Sequence, residues 1–139
     1  MTEPATPVFR MELGVTPDLI DELGHVANLV YVQWVLQVAG AHSEAAGYDL
    51  AAYQALGAVF VVRRQEVEYL RPALRGDRLE LATWVESWKA ASSVRRTSIT
   101  RVTDGVELAR ATTLWAFIDW ETGRPTRIPE EVRRRFTEP

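Results

Sequence analysis

The chain has no cysteine. That excludes disulfides, thiolate metal centres and a thiol nucleophile at once. Histidine is nearly as scarce. With only His25 and His42, a metal centre would need carboxylates for most of its ligands, and no suitable acidic cluster is present, so no metal is expected. Lys89 is the only lysine among 16 basic residues; arginine supplies the rest, a bias that a GC-rich genome explains more simply than any function. No apolar run approaches the length that spans a bilayer. Residues 1–7 carry two prolines and have neither the basic start nor the apolar centre of a signal peptide. No membrane association and a cytoplasmic location are therefore expected. Also missing are a Gly-x-Ser-x-Gly nucleophile elbow, a glycine-rich phosphate loop and a dinucleotide fingerprint. No cofactor is expected beyond what a substrate brings with it.

What is present describes one ordinary domain. A length of 139 residues with 47% hydrophobic and 25% charged side chains suits a single globular unit, residues 1–139, with a real core. The net charge of −3 gives no general attraction to nucleic acid or anionic membranes.

Residues 8–15 read as a strand, with Phe9, Met11 and Leu13 alternating against Arg10 and Glu12. Residues 28–46 read as a long helix. Leu29, Val32, Val35, Leu36 and Ala39 fill one face, and Val30, Trp34, Val38 and Ala41 a second, so burial on most sides is expected. Gly47 stops it, and Asp49 caps a short helix to Leu56. Residues 58–70, 77–88, 94–103 and 106–120 are strand candidates rich in Val, Leu, Ile, Thr and Trp. The last three form an antiparallel meander, with Asp104-Gly105 as a tight-hairpin signal. Pro129 opens a C-terminal helix. The class is α+β, a curved antiparallel sheet wrapped around one long helix. Long sheet edges in such a layout call for a partner.

Residues 21–34 carry the densest chemistry. Asp21 and His25 flank Gly24 in a polar turn, and the apolar helix begins just after them. A carboxylate and an imidazole thus sit beside the positive end of a helix, where developing negative charge is stabilised. Gly24 permits a sharp turn and close approach of backbone to a ligand. Asp21 in isolation would be a loop or capping residue, His25 a satisfied histidine, and Tyr31 and Trp34 plain core. The side chain of Asn28 reads as a helix cap and its N–H as the useful group. His42 reads as structural.

Three ordered landmarks carry a resemblance. They are Asp21-x-x-Gly24-His25-Val26-x-Asn28-x-x-Tyr31-x-x-Trp34; Glu68-Tyr69-Leu70-Arg71-Pro72-Ala73 followed by Gly76-Asp77; and Ile118-Asp119-Trp120-Glu121-Thr122-Gly123-Arg124-Pro125 followed by Ile128-Pro129. Together, over residues 8–135, they resemble the hotdog-fold acyl thioesterases, closest to the 4-hydroxybenzoyl-CoA thioesterase-like branch. Ala27 stands where many members carry the first Asn of a pair. Leu23 stands where plant-type acyl-carrier-protein thioesterases carry an Asn, so the bacterial acyl-CoA type fits better.

The resemblance implies a five-stranded hotdog domain that hydrolyses an acyl-CoA or acyl-carrier-protein thioester as a homodimer or homotetramer. Asp21 would act as nucleophile or general base, with backbone donors near Asn28 as the oxyanion hole and His25 assisting. Gly24, Tyr31 and Trp34 would shape the substrate site, and a partner chain would lend Arg64 or Glu66. Lys89 and Arg95, with Arg96, or else Arg133 to Arg135, would meet coenzyme phosphates unless they form solvated charged faces. Two rivals remain. A hydratase or dehydratase on the same fold usually carries Asn-Pro between the Asp and His, and Glu22-Leu23-Gly24 lacks it. A non-catalytic acyl-CoA-binding protein is disfavoured by intact Asp21 and His25.

Overall fold

A computed structural model of the protein describes residues 7–139; residues 1–6 of the polar lead lie outside them. Five strands form one antiparallel sheet: β1 (Phe9–Gly14), β2 (Ala58–Tyr69), β3 (Arg78–Trp88), β4 (Ser92–Arg101) and β5 (Glu107–Asp119). Their spatial order is β1-β3-β4-β5-β2. The long helix α1 (Asn28–Ala45) packs on β1 and β3, α2 (Leu50–Leu56) on β2, and α3 (Glu130–Thr137) on β3. This is the α+β layout expected, with β3, β4 and β5 as the meander.

Local chemistry accounts for most boundaries. The Asp49 carboxylate accepts the Ala52 N–H at 2.9 Å and caps α2. Gly47, at φ 95°, takes the left-handed conformation that ends α1. Pro129 is the N-cap of α3 rather than its first helical residue. Between β4 and β5 the chain makes a longer link than a two-residue turn. The Arg101 N–H bonds Val106 O, and the Asp104 carboxylate holds both the Arg101 guanidinium and the Val106 N–H.

β1 and β2 are the sheet edges. Cross-strand pairs Arg10–Glu80 and Arg78–Glu12 stud the β1–β3 ladder. β2 is longer and carries a bulge between Val62 and Arg64. The extra residue changes which positions face inward: before it Ala58, an even position, is buried, and after it the odd positions Gln65 and Val67 are the less exposed ones between Arg64, Glu66 and Glu68.

The first of these clusters joins α1 (Tyr31, Trp34, Val35, Val38) to β3, β4 and β5 through Leu79, Leu81, Ile99 and Leu108. The second gathers Tyr53, Val85, Phe117, Val132 and Phe136 around α2 and α3. Burial of α1 is less complete than its apolar sequence suggests. Leu29 is 75% exposed and Leu36 40%, and with Gln33, Gln37 and Gly40 they form an uncovered stripe on this single chain.

His42 bridges the two clusters. Its ring stacks on Phe9 at 5.2 Å and meets Phe136 edge-on at 5.0 Å. Its Nδ1 accepts from Arg95 Nη1 at 2.9 Å, which places the ring proton on Nε2. Burial first, then the neighbouring guanidinium, push its pKa down from 6.5 to about 4. Between those values the unfolded chain takes up a proton that the native ring refuses, so stability is full above pH 6.5 and falls as the pH drops toward 4. Urea unfolding across that range is expected to show a steeper loss for the wild type than for His42→Gln. Parallel slopes would remove His42 from the balance.

Candidate active site at the start of the long helix

The segment ahead of α1 is a closed loop tied down by its own backbone. Ile20 and Val26 form an isolated antiparallel bridge. Within it the Asp21 N–H bonds His25 O at 2.8 Å and the Gly24 N–H bonds Asp21 O at 3.1 Å. The Asp21 Oδ1 accepts from the N–H groups of Leu23, at 2.9 Å, and His25, at 3.3 Å, an aspartate turn that orients the carboxyl group. Gly24 sits at φ 78°, which a side chain would strain, although no atom lies within 4 Å of where a Cβ would stand.

Two more bonds fix the loop to the body. Val26 N–H donates to Ala73 O at 3.0 Å, and Ala27 N–H to Leu19 O at 3.1 Å. Ala73 also donates its own N–H to the Tyr31 hydroxyl at 2.9 Å. Ala73 is fully buried and Tyr31 almost so. Desolvation by burial is the main reason the Tyr31 pKa is raised, which keeps it a neutral phenol. Tyr69 meets the Tyr31 ring edge-on at 5.3 Å and donates its hydroxyl to Asn28 O at 3.3 Å.

These residues enclose a cleft of about 440 Å³ lined by Asp21, His25, Asn28, Tyr31, Tyr69 and Arg71, among others. Asp21, His25 and Asn28 are exposed. The N-cap of α1 is Ala27, without a side-chain cap; the expectation that the Asn28 side chain caps the helix is thereby corrected. The consequence is chemical. Val30 N–H turns back to Ala27 O at 3.0 Å, whereas the N–H groups of Asn28 and Leu29 bond no acceptor among the described residues. Helix-start donors without a cap, beside a carboxylate, are suited to an oxygen that gains negative charge.

Other expected site residues fall elsewhere. Trp34 is core, 4% exposed, with its ring edge-on to Tyr31 at 5.3 Å. Arg64 and Glu66 lie exposed on the edge strand β2 and do not line this cleft. Lys89 is exposed on the β3–β4 turn. Arg95 does not join it at the surface, and the expected solvated face or phosphate contact there is corrected. Arg95 is 6% exposed, bonded to His42 and Thr83 and placed 5.7 Å over the Phe136 ring. Strand alternation, with Arg96 outward and Arg95 inward, is the reason. Arg71, which carries an exposed guanidinium into the cleft, was not singled out by sequence. Its signal was available in the second landmark, where Arg71-Pro72 leaves β2.

Among the described residues no group of three or more His, Asp or Glu side chains could hold a metal. No helix among them is long and apolar enough to cross a membrane.

Comparison with known proteins gives the family and the fold. The family model described as the Thioesterase-like superfamily matches residues 15–136. A chloroplastic acyl-[acyl-carrier-protein] hydrolase of Cuphea viscosissima is 39% identical over 79 residues, 56% of this chain and 19% of that protein. The chain thus spans about a fifth of the length of the curated relatives it matches. Among solved structures, a 1,4-dihydroxy-2-naphthoyl-CoA thioesterase from Synechocystis superposes with a TM-score of 0.85 at 18% identity, covering 94% of this chain and 96% of that one. A Staphylococcus aureus protein solved in complex with CoA gives 0.87 at 17% identity, covering 97% and 85%. These likenesses establish the hotdog fold.

Because the Ala73 N–H has the Tyr31 hydroxyl as its partner, Tyr31→Phe should leave it buried and unpaired, at a cost of about 1–3 kcal/mol. Denaturant unfolding measures this; a variant as stable as the wild type would show that another acceptor takes over.

Proposed function

The chain belongs to the Thioesterase-like superfamily, and from that premise we propose that it hydrolyses an acyl thioester of coenzyme A or of an acyl-carrier protein at the cleft before α1. The observation that carries this reading is one of placement. Asp21, His25 and Asn28 line a single cleft, and the first amides of α1 have no partner among the described residues. A thioester needs little activation beyond a nucleophile and a home for charge on its carbonyl oxygen. Asp21 serves either as general base on a water molecule or as the attacking carboxylate itself.

In the first version water adds to the carbonyl carbon and its proton passes to Asp21. The carbonyl oxygen takes up the negative charge beside the N–H groups of Asn28 and Leu29. Collapse expels the thiolate, which recovers a proton from Asp21, leaving free acid and thiol. In the second version the Asp21 carboxylate attacks the carbonyl carbon and expels the thiolate to give a mixed anhydride. Water then splits the anhydride into the free acid and the Asp21 carboxylic acid, whose proton passes to the thiolate. Asp21 Oδ1 is already engaged by two loop amides, so Oδ2 is the oxygen at hand for either step. His25 assists by orienting water or the thioester. Arg71, the exposed cation in the cleft wall, is the group of this chain best placed to meet an anionic part of the carrier. Lys89 would meet phosphates only in a pose that extends beyond the cleft.

The working form is proposed to be a homodimer or tetramer. Support comes from the open twelve-residue edge of β2 and from the uncovered Leu29 and Leu36. Arg64 and Glu66 on that open strand would then reach a neighbouring chain's site.

Thiol release from a panel of acyl-CoAs and acyl-carrier-protein thioesters tests the reaction. Asp21→Asn is expected to lower turnover by about 100-fold or more while leaving the fold intact. Hydration of an enoyl thioester without thiol release would replace this reading with the hydratase. Light scattering during size exclusion should give at least twice the monomer mass, and a monomer would remove the assembly proposal.

A further inference from the structure

A second cavity, of about 160 Å³, lies further along α1 and is not part of the cleft. Leu36, Ala39, Phe60, Trp115 and Phe136 make its wall largely apolar, and Arg95 lines it as well. An apolar cavity of about 150 Å³ accommodates a benzene-sized group, so the space suits the far end of an acyl chain. The arginine does not fit that description. A purely apolar tail needs no cation, and burying a charge without a counter-charge is costly.

Nothing in the core supplies the counter-charge. Among the described residues no carboxylate pairs with Arg95. Its hydrogen bonds run through Nη1 alone, to His42 Nδ1 at 2.9 Å and Thr83 Oγ1 at 3.1 Å. Nε and Nη2 bond no protein acceptor among the described residues. His42 cannot act as the anion, since its ring is held neutral. Desolvation lowers the Arg95 pKa only to about 10, so the guanidinium is charged at neutral pH. A cation nine-tenths buried, with one edge of its fork anchored and the other unused, is arranged for a planar, two-oxygen acceptor.

We infer that this cavity takes the distal end of an acyl chain bearing a terminal carboxylate, so that the protein prefers ω-carboxyacyl thioesters over plain ones of the same length. The inference rests on the thioester reading above. Geometry sets the length class. Leu36, the first cavity residue on α1, is eight residues beyond Asn28, about 12 Å along the axis, so the acyl group must be of medium length. Shorter diacid monothioesters would leave their carboxylate short of Arg95.

The test compares dodecanoyl-CoA with the CoA monothioester of dodecanedioic acid on the full chain. The wild type should favour the diacid thioester in kcat/KM by about tenfold or more, the scale of one charge-assisted hydrogen bond. In Arg95→Met that ratio should fall to about one or below, and Arg95→Lys should restore part of it. Equal rates in the wild type, or a preference for the plain chain, would overturn the inference whether or not the variants fold. If no thioester is hydrolysed, the thioesterase reading fails separately. Calorimetric titration with free ligands then decides: dodecanoate must bind the wild type more tightly than methyl dodecanoate, which has no carboxylate for Arg95, and equal binding sinks the carboxylate pocket.

Discussion

The backbone of Ala73 is the point on which the candidate site depends. Its carbonyl receives the Val26 N–H and its N–H donates to the Tyr31 hydroxyl, so one buried residue ties the loop before α1, the first turns of α1 and the segment leaving β2. Burial gives these bonds their weight, because neither partner has water to fall back on. The loop bearing Asp21 and His25 is exposed and short of side-chain contacts. It is nonetheless held from below at Val26 and Ala27 and from within by the Asp21 turn. Functional groups on a loop over such an anchorage keep their geometry at little cost in access to solvent.

Further along α1 the physics reverses. At the helix start, backbone donors are left open and side chains face water. At His42 and Arg95, polar side chains are sealed inside and partly satisfied by one another. The two aromatic contacts of His42 join a cluster under β1 to a cluster under α3. An apolar residue would join them too, and more cheaply. The neutral imidazole instead gives Arg95 an acceptor, and that hydrogen bond orients the guanidinium.

Much of this was legible in the chain because it rests on local chemistry. Asp49 as a cap, Gly47 as a stop and the alternation within β3 to β5 are written within a few residues each. The Asp21 to Asn28 segment was legible for the same reason, as a turn and a helix start in succession. What was not legible depends on residues far apart. Nothing near Arg95 announces that Thr83 and His42 await it, so a neighbour of Lys89 and Arg96 read as surface. Arg71 reaches the cleft only because the chain leaves β2 beside Tyr31. The uncovered stripe of α1 was missed because apolar residues look the same whether their own chain or another surface covers them. The bulge in β2 changes the facing of Arg64 and Glu66 by a register step that periodicity cannot foresee.

The strand order has a consequence in time. β1 pairs with β3 across α1 and α2, and β2 pairs with β5 across the whole meander. Both edges are therefore closed by segments distant in sequence, and such pairings form late because the loop must be closed before any contact rewards it. On a ribosome, β2 emerges with Val59, Phe60, Val61 and Val62 in succession and waits until Asp119 has been made before its ladder can be completed. During that interval the chain carries an apolar strand with no partner of its own, the condition under which nascent proteins recruit chaperones or pair with a neighbour.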